Sequence, residues 1–83
     1  MRLDKYLKNS RLIKRRTIAN EVCDAGKVLV NGKVARASYD VKLQDVIEIQ
    51  MGSKPVSVRV LGIPEHATKA DAVGMYEVLS TEK

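Results

Sequence analysis

Asn31-Gly32 lies between Val28-Leu29-Val30 and Lys33-Val34-Ala35, and no other stretch of the chain limits its fold so tightly. A two-residue hairpin turn of type I′ needs positive φ at both central positions, and Asn followed by Gly accepts it at the lowest cost. The sequence therefore predicts an antiparallel hairpin whose register is set by the turn itself. Two further strands follow from period-two alternation. Ile47, Ile49 and Met51 alternate with Glu48 and Gln50; Val56, Val58 and Val60 alternate with Ser57 and Arg59. Gly52-Ser53-Lys54-Pro55 predicts the turn between them. Residues 36–44 read as a loop, 65–74 as a polar loop with a helical turn, and Met75 to Leu79 as a last short strand.

Ahead of the hairpin the period changes to that of a helix. Leu3 and Leu7 are four apart, with Tyr6 beside them, and predict a short helix over 3–8. Asn9 and Ser10 favour turns and caps and interrupt it. A second helix is expected over 15–25, with Ile18, Ala19, Val22, Cys23 and Ala25 as its apolar stripe. Gly26 stands where a helix C-terminal glycine belongs. The expected core is Leu3, Leu7, Ile18, Val22, Val30, Ile47 and Ile49. The order is two short N-terminal helices packed on a small antiparallel sheet, an α+β class. At 83 residues the chain makes one domain, 1–83, with a modest core.

Charge divides the chain. Residues 1–36 hold ten Lys/Arg against three Asp/Glu, or +7; residues 37–83 hold five against seven, or −2. Arg2, Lys5, Lys8, Arg11 and Lys14 recur every third residue, and Arg15 and Arg16 follow at once. Such crowding is self-repulsive unless an anion receives it, and the anion with enough charge is a nucleic-acid backbone. The candidate RNA contacts are these seven, with Asn20, Lys27, Asn31 and Lys33 at the edge. Asp4 is expected to orient Arg2, Lys5 or Lys8, or to sit near a helix N-terminus. With Tyr6, Tyr39 and Tyr76 as the only aromatics, the chain is poor in platforms for stacked bases.

Other classes find little support. Cys23 is the only cysteine, so no disulfide forms within the chain, and its place on the apolar stripe points to packing. His66 has no metal-binding companion and reads as a loop residue. No catalytic constellation, phosphate-cradling glycine loop, metal cluster or cofactor motif is visible, so no enzymatic activity and no cofactor are expected. No spanning segment or secretory signal is visible, so a cytoplasmic location and no membrane partner are expected. A helix-turn-helix DNA-binding regulator is a competing reading, since Arg16 and Asn20 could face a groove. An adaptor whose basic face meets an acidic protein is another.

Four stretches carry a family resemblance. Arg2-Leu3-Asp4-Lys5-Tyr6-Leu7 resembles the opening RLDxxL of the RNA-binding domain named after ribosomal small-subunit protein four, the alpha-L motif. Ser10-Arg11, the basic Lys14-Arg15-Arg16, Ala19 and Val22 resemble its second-helix pattern. Gly26 to Gly32 resembles GxVxVNG, and Val41 to Ile47 resembles VKxGDxI, with Gln44 where glycine is usual. Together they cover about residues 1–50. The opening, and the tail from Ala72 to Leu79, are similar to free-standing bacterial members of this family that act in ribosome-associated quality control. That resemblance implies a ribosome-bound monomer that binds 23S ribosomal RNA of the large subunit and peptidyl-tRNA. It further implies stabilised P-site tRNA and support for an RqcH-like tailing factor that adds alanine to stalled chains. The alternative within the family is the heat-shock type that recycles large subunits still carrying nascent chain and tRNA.

Overall fold

The computed structural model describes residues 1–50, 55–63 and 74–79. Two helices, α1 (Leu3–Asn9) and α2 (Arg16–Asp24), precede five strands. These are β1 (Val28–Val30), β2 (Lys33–Val34), β3 (Val46–Ile49), β4 (Val56–Val60) and β5 (Tyr76–Val78). All pairings are antiparallel, in the order β2-β1-β3-β4-β5. This is the expected α+β architecture. The expected turn at 52–54, Met51, and the segment 65–73 with His66 lie outside the described residues.

The hairpin forms as its turn dictates. Asn31 has φ 54° and Gly32 φ 86°, and Val30 pairs directly with Lys33. From there the register carries the apolar positions across the sheet: Val30 faces Ile47, and Ile47 faces Val58. Because side chains alternate along a strand, Val28, Val30, Ile47, Ile49, Val58 and Val60 then share one face. All six are buried, in one cluster with Leu3, Tyr6 and Leu7 of α1.

Helix α2 ends by the mechanism its sequence implies. Gly26 takes φ 80°, its N–H donates to the Cys23 carbonyl, and the Lys27 N–H reaches back to Val22. These two bonds satisfy carbonyls that the helix end would otherwise leave unpaired. Ile18, placed in the core by its sequence pattern, is instead 39% exposed. The line of α2 that packs inward is Ala19 and Cys23, four residues apart, with Val22 half-buried beside it. Small side chains there let α2 sit close to α1, and Ile18, one residue before Ala19, is rotated away by about 100°.

Gln44 has φ 73°, a left-handed conformation that costs a residue with a Cβ about 1 kcal/mol. Its own N–H is held by the Val60 carbonyl at 2.9 Å. The glycine usual at this point of the motif is thus explained by the backbone, and this chain tolerates glutamine in its place. Cys23 is buried, and burial first, then the nearby Asp4 and Asp24 charges, push its thiol up to about 11. It is a packed, protonated side chain at neutral pH.

Candidate nucleic-acid interface

The basic residues are brought together by the α1–α2 connection. Helix α1 stops at Asn9; Ser10 is buried, donating its hydroxyl to the Leu7 carbonyl. Arg11 then takes φ 64°, and its N–H donates to the Lys8 carbonyl. Arg11 occupies the position at the end of α1 that Gly26 occupies at the end of α2. Holding an arginine there costs about 1–2 kcal/mol against glycine. In return a guanidinium is fixed at the turn. Lys8, Asn9, Arg11 and Lys14 line a pocket of about 240 Å³, with cations as its only charged walls.

A second group is organised by Asp4. Its carboxylate is buried and accepts the Lys5 N–H at 2.8 Å inside the first turn of α1. Arg2 donates to it through Nε at 3.2 Å and through Nη2 at 3.4 Å. Arg16 Nε, from the start of α2, reaches it at 3.4 Å, and Asn20 Nδ2 at 3.3 Å. The two guanidiniums stay about half exposed. One carboxylate thus fixes an arginine just before α1 and another at the start of α2 without neutralising both. Each guanidinium keeps outward N–H groups, which suit a bidentate grip on phosphate.

The three-residue ladder is therefore split into two groups, Arg2 with Arg16, and Lys8 with Arg11 and Lys14. The first joins the residue just before α1 to the start of α2; the second joins the end of α1 to the connection that follows it. Arg15 is exposed at the N-terminal boundary of α2. That helix has no acid in its first turn, so Arg15 and Arg16 add to the positive end of its dipole.

The remaining candidates lie on the hairpin. Lys27 and Lys33 are exposed. Asn31 serves the fold at both ends of its carboxamide: Oδ1 accepts the Val46 N–H at 3.0 Å and Nδ2 donates to Asp45 at 3.1 Å. Sequence reasoning identified Asp4 as an orienting group for Arg2, but did not connect it to Arg16 and Asn20, twelve and sixteen residues on. It also passed over Arg36 and Tyr39 as loop. No group of three or more His, Cys, Asp or Glu suited to a metal occurs among the described residues.

Burial works against ionisation of Asp4, but hydrogen bonds from Arg2, Asn20 and Arg16 outweigh it and hold the carboxyl below its ordinary range. The folded state therefore binds this proton less readily than the unfolded chain. The stability so gained is complete above the unfolded value near pH 4 and is lost as pH falls through the folded one. Asp4→Asn should cost about 1–3 kcal/mol at pH 7, since its amide would turn donors toward donors. The gap to the parent protein should begin to narrow below about pH 4 and shrink further as pH falls through the folded value. Urea melts of both at pH 7 and pH 3 check this; a gap that ignores pH would contradict the charge-based account.

The S4 domain family matches residues 1–47. The chain is 54% identical over 80 residues to the RQC P-site tRNA stabilizing factor of Streptococcus pneumoniae, covering 96% of this chain and 91% of that one. It is 49% identical over 83 residues to the protein of the same name from Bacillus subtilis, covering 100% and 96%. Among solved structures, a trimeric heat shock protein 15 of Vibrio cholerae superimposes with a TM-score of 0.88 at 28% identity, covering 96% of this chain and 82% of that one.

Proposed function

This chain belongs to the S4 domain family, beside the RQC P-site tRNA stabilizing factors, and from that premise we propose that it is a non-enzymatic RNA-binding factor of ribosome-associated quality control. It binds an obstructed large ribosomal subunit that still carries peptidyl-tRNA. It touches 23S ribosomal RNA and the tRNA together and holds the tRNA in the P-site. An RqcH-like factor then extends the stalled chain with alanine. The protein works in the cytoplasm, on the ribosome.

The observation that carries this reading is the pairing of two cationic groups across the α1–α2 junction, Arg2 with Arg16 and Lys8 with Arg11 and Lys14. Two such groups can hold two phosphate backbones at once, and the free energy of that bridge biases where a tRNA rests. Arg15, Lys5, Asn20, Lys27, Asn31 and Lys33 complete the proposed contact set. A fixed cationic surface of this kind recognises RNA shape and backbone more than base sequence.

Arg16→Ala is the direct test. It removes one guanidinium while Asp4 keeps Arg2 and Asn20 as partners, so the fold should persist. Co-sedimentation with large subunits should weaken about tenfold or more, the worth of a charge-assisted hydrogen bond. Unchanged sedimentation would place the contact face elsewhere.

A further inference from the structure

A groove of about 640 Å³ lies away from the basic ladder, between the β1–β2 hairpin and the segment that follows it. Val30, Val34 and Ala35 give it an apolar floor, and Tyr39 forms part of its wall. Its charged lining residues are both cations, Lys33 and Arg36. Arg36 and Tyr39 are the first and last residues of one tight turn, closed by the Tyr39 N–H on the Arg36 carbonyl at 3.0 Å. That turn brings both residues to the same groove.

The ring is held in place before any ligand arrives. Tyr39 donates its hydroxyl to Asp45 Oδ2 at 2.9 Å. Asp45 is itself buried and held by the Lys42 N–H at 3.0 Å and by Asn31. Its negative charge is thus turned inward and capped by donors, which leaves the groove positive. Of the other tyrosines, Tyr6 is fully buried and Tyr76 is packed against the core, so Tyr39 is the aromatic that a ligand in this groove would meet.

The wall of the groove is nevertheless bonded, through its backbone, to the start of the ladder. The Leu3 N–H donates to the Tyr39 carbonyl at 2.8 Å and the Asp4 N–H to the Ala37 carbonyl at 3.2 Å. The turn is therefore bonded to the stretch of α1 that begins at Arg2 and Asp4.

We infer that this groove takes a single unpaired nucleotide of the bound RNA, its base on the apolar floor beside Tyr39 and its phosphate between Lys33 and Arg36. The volume suits a ligand of that size. A flat aromatic body with an attached anion matches an apolar slot that has one ring and two cations. A chain with one tyrosine so placed can seat one base, not a run of them. The inference rests on the RNA-binding reading, which it makes more specific: the ladder holds backbone, and the groove selects for a base that is out of its helix.

Nitrogen-15 amide spectra of the full chain test it, titrated in separate arms with adenosine monophosphate and with inorganic phosphate. The nucleotide should shift the amides of residues 34–39 in a saturable way, and inorganic phosphate should not reproduce those shifts. Arg36→Ala should raise the nucleotide's dissociation constant about tenfold. Tyr39→Phe, which keeps the ring, should retain the shifts if the chain remains folded. No response at 34–39, or the same response to phosphate alone, would overturn the groove assignment. Arg16→Ala keeps the two readings apart. It should leave the nucleotide shifts intact, so loss of ribosome binding there with no groove response in the parent would leave the ladder standing and the groove refuted.

Discussion

Raising the salt concentration from about 50 to about 200 mM should lower affinity for large ribosomal subunits roughly a thousandfold. The expectation follows from counting the five cations of the two groups together with Arg15. If about six phosphates are met, by Arg2, Lys8, Arg11, Lys14, Arg15 and Arg16, the slope of log affinity against log salt is near −5. Over a fourfold salt change that slope gives about three decades. Salt titration of binding to purified large subunits reads it directly. Lys8→Ala should make the slope shallower by about one while changing affinity alike for different RNA sequences. A slope near zero would mean that the basic face meets something other than phosphate.

The largest effect on stability is expected at Tyr6. Its side chain is fully buried beneath α1, and its hydroxyl donates to the Met75 carbonyl at 2.7 Å, just before β5. It thereby joins the first element to the last strand. Tyr6→Ala removes a large buried body and should cost about 3–5 kcal/mol. For a domain of this size the whole stability is on the order of 4–12 kcal/mol, so the variant should be largely unfolded or close to it. Tyr6→Phe should cost only about 1 kcal/mol. The Met75 carbonyl would not be orphaned, because the Leu61 and Gly62 N–H groups donate to it at 2.8 and 3.2 Å. Urea midpoints of the three proteins decide this. Equal losses from the two substitutions would show that the hydroxyl, not the ring, carries the contribution.

What was legible in the sequence follows from range. The Asn31-Gly32 turn and the alternation in β3 and β4 are local signals, and each appears in the structure with its partners in register. The end of α2 was legible because one glycine with positive φ is enough to produce it. Ile18 was misplaced because helical periodicity gives a stripe about 100° wide without saying which edge of it packs inward. That choice was made by the packing against α1, which the small Ala19 and Cys23 of α2 let come close. The common partner of Arg2, Arg16 and Asn20 was hidden for a similar reason. Their distances from Asp4 in sequence differ widely, and only the crossing of the two helices makes them neighbours. Tyr39 and Arg36 had no pattern to announce them; a four-residue turn tied to the start of α1 gives them their positions.

The strained turn at Arg11 belongs with these. A sequence pattern would favour glycine at the end of α1, and the chain accepts the cost of arginine. Arg11→Gly should therefore be one of the few changes on this face that leaves the fold as stable or more so, while removing a cation from the pocket it shares with Lys8 and Lys14.

The two-residue hairpin has a consequence for length variation. Strand side chains change sides with every residue, so one extra codon between Gly32 and Lys33 would exchange the sides taken by lysine and valine in β2. β2 is a two-residue strand at the sheet's edge with both side chains exposed, so Lys33 and Val34 themselves take no part in the core. The groove would lose the placement of one of its two cations, Lys33, and part of its floor, Val34. In chains of the same architecture, the length of this one turn should then sort those that keep a nucleotide seat from those that keep only the helical face.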